Sequence, residues 1–170
     1  LSIATFSGFA LCGYGAFRLA RTLTGSYGIA WTAGVLFAFV PFRFMLLPHL
    51  PYLFAPWIPL LLEALVLFVY VRSWRRAIWL GVAFLMNGLT CISWLMLPLL
   101  PLAISVGILV VRHSIYRDKR FWVRGAVTVG TATLLLIPFL WPYYRANRLY
   151  GFTRGIEEVA RFSASLVDWI

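Results

Sequence analysis

Charge is scarce in this sequence, and acidic residues are the scarcest of all. Of 170 residues 12% are charged, with 5 Asp and Glu against 15 Lys and Arg, while 62% are hydrophobic. This composition excludes an ordinary soluble domain and a disordered tail. The net charge of +10 does not indicate a nucleic-acid binder, because the basic residues form short clusters between uncharged runs of 17 to 35 residues. The composition predicts a chain that lies in a lipid bilayer.

Cysteine is rare as well. Cys12 and Cys91 lie inside apolar runs, so we interpret them as small core residues and not as a disulfide or a metal pair. No Cys/His metal spacing, phosphate-binding glycine loop or Ser/His/Asp arrangement occurs, which excludes an active site of the soluble type. The sequence therefore predicts no metal site and identifies no cofactor. The chain begins on Leu1 within an apolar run, without an initiator Met or a basic n-region, and we expect it to be a fragment.

The clusters of charge predict where helices cross the membrane, since one crossing needs about 20 apolar residues. The stretch from Ala77 to Val111 holds 35 uncharged residues, too many for one crossing, and its prolines favour a tight hairpin whose second helix begins near Leu97. A re-entrant pair is the alternative. We expect an all-α fold, a polytopic transmembrane helical bundle of about six spans within residues 1–144. The predicted spans are 1–17, about 27–42, about 53–71, 77–94, 98–111 and 125–144, the last ended by Pro138 and the aromatic cluster Pro142–Tyr144.

The distribution of basic residues predicts the orientation. The loops after the first, third and fifth spans hold ten Lys and Arg, and the opposite side holds five. Lys and Arg are retained on the cytoplasmic side, so the bend from Phe42 to Tyr52, the turn at Trp94 and the tail face outward, which in a bacterial inner membrane is the periplasm. Residues 145–170 form a juxtamembrane segment. Apolar residues from Ile156 onward recur near the helical period there and predict a C-terminal amphipathic interfacial helix.

The outward bend holds two candidate site residues, Arg43 and His49. An arginine can hold two phosphate oxygens at once, and an imidazole titrates near neutral pH, so the pair suits a substrate or lipid phosphate. The alternative is that Arg43 snorkels to lipid headgroups and that His49 caps a helix end.

A carboxylic acid and an amide, Glu63 and Asn87, lie within predicted spans. Glu63 is about a dozen residues inside the third span, where a carboxylate costs several kcal/mol unless it is paired or hydrated. Glu63 and Asn87 are candidates to line a cavity. Equally, Glu63 could make a structural hydrogen bond to Asn87, Thr90 or Ser93, and Asn87 could join helices. Aromatic and basic residues at span ends are typical interfacial anchors: Trp57, Tyr143, Tyr144 and Arg145.

Three stretches carry a resemblance to a known family. The first is Phe39, Pro41, Phe42, Arg43, His49, Trp57 and Pro59; the second is Asn87 to Cys91; the third is Tyr150 to Arg154 with Glu157, Glu158 and Arg161 to Ala164. This pattern resembles bacterial polytopic membrane glycosyltransferases of the C-type fold. The chain departs from it at Leu46, Pro51 and Ser165, where the family has His, Gln and Asp.

The resemblance implies an enzyme that moves a sugar from a polyprenyl-phosphate carrier to an acceptor on the outer face of the membrane. Its partners would be membrane lipids and a polyprenyl-phosphate-linked sugar, and nucleic acid is not expected. The resemblance also implies that the catalytic acidic residue lies in an outer loop preceding residue 1. The alternative is a non-enzymatic polytopic protein, either a transporter or flippase piece or a structural subunit.

Overall fold

The structure, a computed structural model, describes residues 3–45, 47, 49–96 and 99–151. Within these ranges all regular structure is helical and no strand occurs, which confirms the all-α fold. The helices are α1 (Ile3–Thr24), α2 (Tyr27–Ala38), α3 (Pro41–Met45), α4 (Leu50–Leu53), α5 (Trp57–Val71), α6 (Trp74–Thr90), α7 (Ile92–Met96), α8 (Leu99–Arg112) and α9 (Lys119–Tyr150). The predicted amphipathic helix after Ile156 lies outside the described residues.

Several helical stretches have the length and apolarity of membrane spans. Among the described residues five qualify: Ile3–Thr24, Tyr27–Met45, Pro51–Val71, Ile92–Arg112 and Lys119–Leu149. A helix suits this environment because it satisfies its own backbone hydrogen bonds, which lipid cannot do. Helix α6 is shorter, with 17 residues. The prediction of a polytopic chain with long apolar helices is thus supported, and the number of crossings stays a prediction.

Several predicted helix ends are wrong, and the end of α5 is confirmed. Helix α1 continues past Arg18 and Arg21 to Thr24, because side chains of the protein pair with or stack on these cations. Helix α2 ends at Ala38, earlier than expected, and α9 runs on through Pro138 and Pro142. Each proline removes one backbone hydrogen bond, and membrane helices tolerate that loss. Helix α5 ends at Val71 as predicted, with Arg72 in the left-handed region at φ 47°.

Helices α1 and α2 cross at a pair of glycines. A Cβ atom at Gly34 would lie 2.9 Å from the Gly13 carbonyl oxygen, and one at Gly13 would lie 3.1 Å from the Gly34 carbonyl oxygen. Only residues without a side chain allow the two backbones to approach this closely, which is how small residues bring membrane helices together. Gly25, with φ 70°, makes the tight turn between the two helices.

The chain divides into two units, Leu1–Leu136 and Ile137–Ile170. In the first unit α5 is the most enclosed helix, and its Phe68 ring stacks on Phe121 with centroids 4.6 Å apart. Cys12 is fully buried, as expected of a core residue, whereas Cys91 is only partly buried; both are free thiols. In the described part of the second unit, residues 137–151, Tyr144 packs against Trp141 and lies beneath the Arg148 guanidinium.

Candidate functional site

The candidate site is built around the bend between α2 and α5, residues 39–56, here called the Pro-rich bend. It contains the short helices α3 and α4. Pro41 begins α3, where a proline costs nothing because the first helical N–H has no partner anyway. The bend places Arg43 on the inner face of α3, and the residue is 6% exposed. The prediction that Arg43 could snorkel to lipid headgroups is wrong, since its side chain points into the protein.

Three hydrogen bonds hold the Arg43 guanidinium. Its Nε donates to the Phe37 carbonyl at 2.9 Å, and its Nη1 donates to the Leu53 carbonyl at 2.8 Å and to Cys12 Sγ at 3.0 Å. The Cys12 thiol in turn donates to the Leu53 carbonyl at 3.5 Å. The guanidinium also lies 4.6 Å from the centroid of the Phe37 ring. Arg43 therefore fastens the bend to α1 and to the end of α2.

No carboxylate compensates this buried charge within the part of the chain that the structure describes. The ion pairs there are Arg18–Glu63 and Arg72–Asp118, and Arg43 belongs to neither. Carbonyl oxygens and a thiol satisfy donors but carry no net negative charge, and a buried cation without a counter-charge is costly. Arginine is the residue best suited to holding phosphate oxygens. The site thus has the electrostatics of an anion-binding position.

His49, the second predicted site residue, lies on the exposed side of the same bend. Its carbonyl accepts the N–H groups of Tyr52 and Leu53, so its backbone supports the first turn of α4. Its ring meets the Tyr52 ring edge-on with centroids 6.3 Å apart. The side chains of His49 and Arg43 share the bend without touching each other.

Helix α4 is also tied to α7 and, through it, to Asn87. The Tyr52 hydroxyl lies 3.2 Å from Ser93 Oγ, and Trp94 Nε1 donates to the Pro51 carbonyl at 3.1 Å. Asn87 is 1% exposed and donates through Nδ2 to the Trp94 carbonyl, while its Oδ1 has no hydrogen-bond partner. Asn87 thus positions the α6–α7 connection against the bend.

An apolar groove of about 800 Å³ runs between α1 and α2 and reaches the bend. Phe39 and Phe44, which lie on either side of Arg43 in the sequence, line one part of it, and Phe17 and Trp31 line another. A smaller cavity of about 320 Å³ is lined by Leu53, whose carbonyl accepts from Arg43, and by Pro51 and Thr90 among others. The side chains of Glu63, Asn87 and Arg43 itself line neither of these two cavities.

Glu63 is 3% exposed and lies in a separate polar cluster. Its Oε1 accepts hydrogen bonds from Arg18 Nη2 at 3.0 Å, from Arg18 Nε at 3.2 Å and from Thr22 Oγ1 at 3.2 Å, and its Oε2 has no partner. The proposed partners Asn87, Thr90 and Ser93 are therefore wrong. Arg18 and Thr22 are one helical turn apart on α1, so they reach the same carboxylate.

Among the predicted anchors, Tyr143, Tyr144 and Arg145 are exposed, and Trp57 is half-buried at the start of α5. The sequence did not identify Cys12 as a partner of Arg43 or Arg18 as the partner of Glu63. The second pairing had a visible signal, since Glu63 is the single acidic residue in the first 100 and Arg18 with Thr22 forms a polar strip. The first had none, because a thiol in an apolar run is typical of a core.

Comparisons with protein-family models, with curated proteins and with solved structures find no match for this chain.

Proposed function

We propose that this chain is the central membrane portion of a glycosyltransferase of the C-type fold. It would move a sugar from a polyprenyl-phosphate carrier to an acceptor on the outer face of a bacterial inner membrane. In this proposal the basic loops are cytoplasmic, the chain crosses the membrane six times, and residues after 144 lie outside with an amphipathic helix. Arg43 and His49 lie near the carrier phosphate.

The observation that carries the proposal is the buried Arg43, which has no counter-charge among the described residues and lies in a bend whose Phe39 and Phe44 line an apolar groove. A lipid phosphate combines an anion with a long apolar chain, and this part of the molecule offers a complement to each. The guanidinium is already held by Phe37, Leu53 and Cys12, so it loses little side-chain freedom when it binds an anion. A cation fixed in this way would stabilise the departing phosphate during transfer.

The second candidate is a non-enzymatic membrane protein, either a transporter or flippase piece or a structural subunit. The ion pair of Glu63 with Arg18 favours it, because this carboxylate joins α1 to α5 and is already paired with a cation of the chain. In that case Arg43 serves only to fasten the bend, through the same three hydrogen bonds.

The test is release of polyprenyl phosphate from a polyprenyl-phosphate-linked sugar by the full-length protein in membrane vesicles. Arg43→Gln removes the charge and should lower turnover at least about 100-fold. Arg43→Lys keeps the charge without the planar fork and should retain intermediate turnover. The matched control is Arg145→Gln, which removes an exposed cation of the second unit and should change turnover less than about twofold.

Folding of each variant is checked by size-exclusion chromatography and by its thermal unfolding. Native turnover in a folded Arg43→Gln variant would refute the assigned role of Arg43. Absence of any sugar release by the full-length parent, with carriers and acceptors supplied as membrane extract, would favour the non-enzymatic candidate.

A further inference from the structure

A second charged region lies in the first unit, away from the Pro-rich bend. Two connections, the one from α5 to α6 and the one from α8 to α9, together with the helix turns beside them carry eight basic residues and one acidic residue, Asp118. We call their surface the basic face: Arg72, Arg75, Arg76, Arg112, Arg117, Lys119, Arg120 and Arg124. From the sequence these residues are expected to set the orientation of the chain in the membrane. That role does not require the two clusters of cations to lie next to each other.

The structure fastens the two connections to each other. Arg72 Nη1 lies 3.2 Å from Asp118 Oδ2, and Arg124 Nη1 donates to the Arg72 carbonyl. The Arg124 guanidinium also lies 5.7 Å from the ring centroid of Trp74. These contacts join residues 46 and 52 positions apart in the chain. Two clusters of like charge are therefore held side by side, although they repel each other.

One carboxylate cannot balance this face. Asp118 pairs with Arg72, while Arg75, Arg112, Lys119 and Arg120 are exposed and take part in no ion pair within the described residues. Bringing such cations together raises the local positive potential, and an anion bound between them lowers the cost. The charge of the face thus complements a phosphate group.

The surroundings of the basic face distinguish a lipid phosphate from a free one. Trp74 and Trp122 are each about half exposed, Tyr116 is 57% exposed and Val111 is 75% exposed. Tryptophan and tyrosine beside cations are typical of the level where headgroups meet acyl chains. A free phosphate makes no contacts with this apolar surface, whereas the acyl chains of a phospholipid can pack against it.

We propose that the basic face binds the headgroup of an anionic phospholipid. The cations of both connections contact its phosphate, and the exposed aromatic and aliphatic side chains beside them contact its acyl chains. This interaction is independent of the proposed transferase activity, because it uses none of the residues of the Pro-rich bend.

The test measures binding of fluorescent phosphatidylglycerol and of phosphatidylcholine with the same chains to the full-length protein in a nonionic detergent. The parent should bind phosphatidylglycerol at least tenfold more tightly. Arg75→Gln with Arg120→Gln, one cation from each connection, should weaken phosphatidylglycerol binding about tenfold and leave phosphatidylcholine binding unchanged. Arg75→Lys with Arg120→Lys keeps the charges and should stay within about threefold of the parent.

The matched control is Arg145→Gln with Arg148→Gln, which removes the same net charge from the second unit and should have less than about a twofold effect. If this control lost as much affinity for phosphatidylglycerol, a binding site at the basic face would be refuted, because binding would then depend on net charge alone. Equal affinity of the parent for both lipids would also overturn the proposal. If inorganic phosphate displaced phosphatidylglycerol at comparable concentrations, the ligand of the basic face would be a free phosphate and not a phospholipid, which would overturn the proposal.

Discussion

Two charged side chains are buried in the first unit, and they are held in opposite ways. Glu63 is neutralised by a cation, Arg18, which spends two donors on one carboxylate oxygen. Arg43 is held by two carbonyl groups and a thiol, all of them neutral. In the first arrangement the two charges balance. The second satisfies the hydrogen-bond donors and leaves the positive charge without a counter-charge among the described residues.

The difference separates a structural role from a binding role. An ion pair whose two charges neutralise each other within the protein attracts a charged ligand only weakly. The Arg18–Glu63 pair therefore has a structural role, since it joins α1 to α5. A fixed cation without a counter-charge is pre-organised for an anion, because the cost of ordering its side chain falls on folding and not on binding. Helix α1 serves both arrangements, since it carries Arg18 for one and Cys12 for the other.

The largest expected effect comes from breaking the ion pair. Arg18→Met leaves the buried Glu63 carboxylate with only Thr22 as a partner and should lower the free energy of unfolding by about 3 kcal/mol. Adding Glu63→Leu removes the stranded charge and should restore stability to within about 1 kcal/mol of the parent. Unfolding in mixed micelles measures both variants. If the double variant is no more stable than Arg18→Met, the pair is not the closed unit described here.

A methyl group at the α1–α2 crossing should disturb both buried charges together. Gly34→Ala places a Cβ atom 2.9 Å from the Gly13 carbonyl oxygen, so α1 must shift, at a cost of about 1–3 kcal/mol. Gly28→Ala on the same helix is the control, because nothing lies within 4 Å of its Cβ position. The control should match or slightly exceed the parent in stability. Equal unfolding temperatures for the two variants would contradict the close crossing.

His49 allows the role of the bend to be tested without loss of stability. The residue is exposed, so His49→Ala should change the free energy of unfolding by less than about 0.5 kcal/mol. If His49 lies near the carrier phosphate, the substitution should reduce turnover about tenfold. Met45→Ala, at another exposed position of the bend, is the control and should leave turnover unchanged. Parent-like turnover in His49→Ala would remove His49 from the site.

The half-buried pair Arg72–Asp118 should give the smallest effect. The Asp118 carboxylate accepts hydrogen bonds from the backbone N–H groups of Phe121 and Arg120 and from the Arg72 guanidinium. These hydrogen bonds favour the charged form and hold the pKa of Asp118 below its ordinary value of 3.8. A carboxylate whose pKa is lower in the folded state stabilises the protein when the pH is above its pKa in the unfolded state. This stabilisation is lost as the pH falls through the folded-state pKa. Unfolding curves between pH 6 and about pH 3 should show a slightly steeper acid destabilisation in the parent than in Asp118→Asn. Parallel curves would contradict this.

The sequence predicted the helical class well, but it predicted few of the helix ends. Helix α5 ends at Val71, because the chain turns at Arg72 through a left-handed residue. Arg18 did not end α1, since its partner Glu63 lies 45 residues away, and the signal for that contact is the single acidic residue among the first 100 residues and not the charges next to Arg18. The same limit applies to Arg43. The sequence could predict a cation at the bend, but its burial depends on carbonyl groups of Phe37 and Leu53 that only the folded chain brings together.

The most direct test of the central claim compares binding of a polyprenyl phosphate with binding of the corresponding neutral polyprenol to the full-length protein in detergent. If Arg43 is a pre-organised anion site, the parent should prefer the phosphate by at least about tenfold, and Arg43→Gln should bind both lipids equally. Arg18→Met with Glu63→Leu should keep the preference of the parent. A phosphate preference that survives in a folded Arg43→Gln variant would contradict the account.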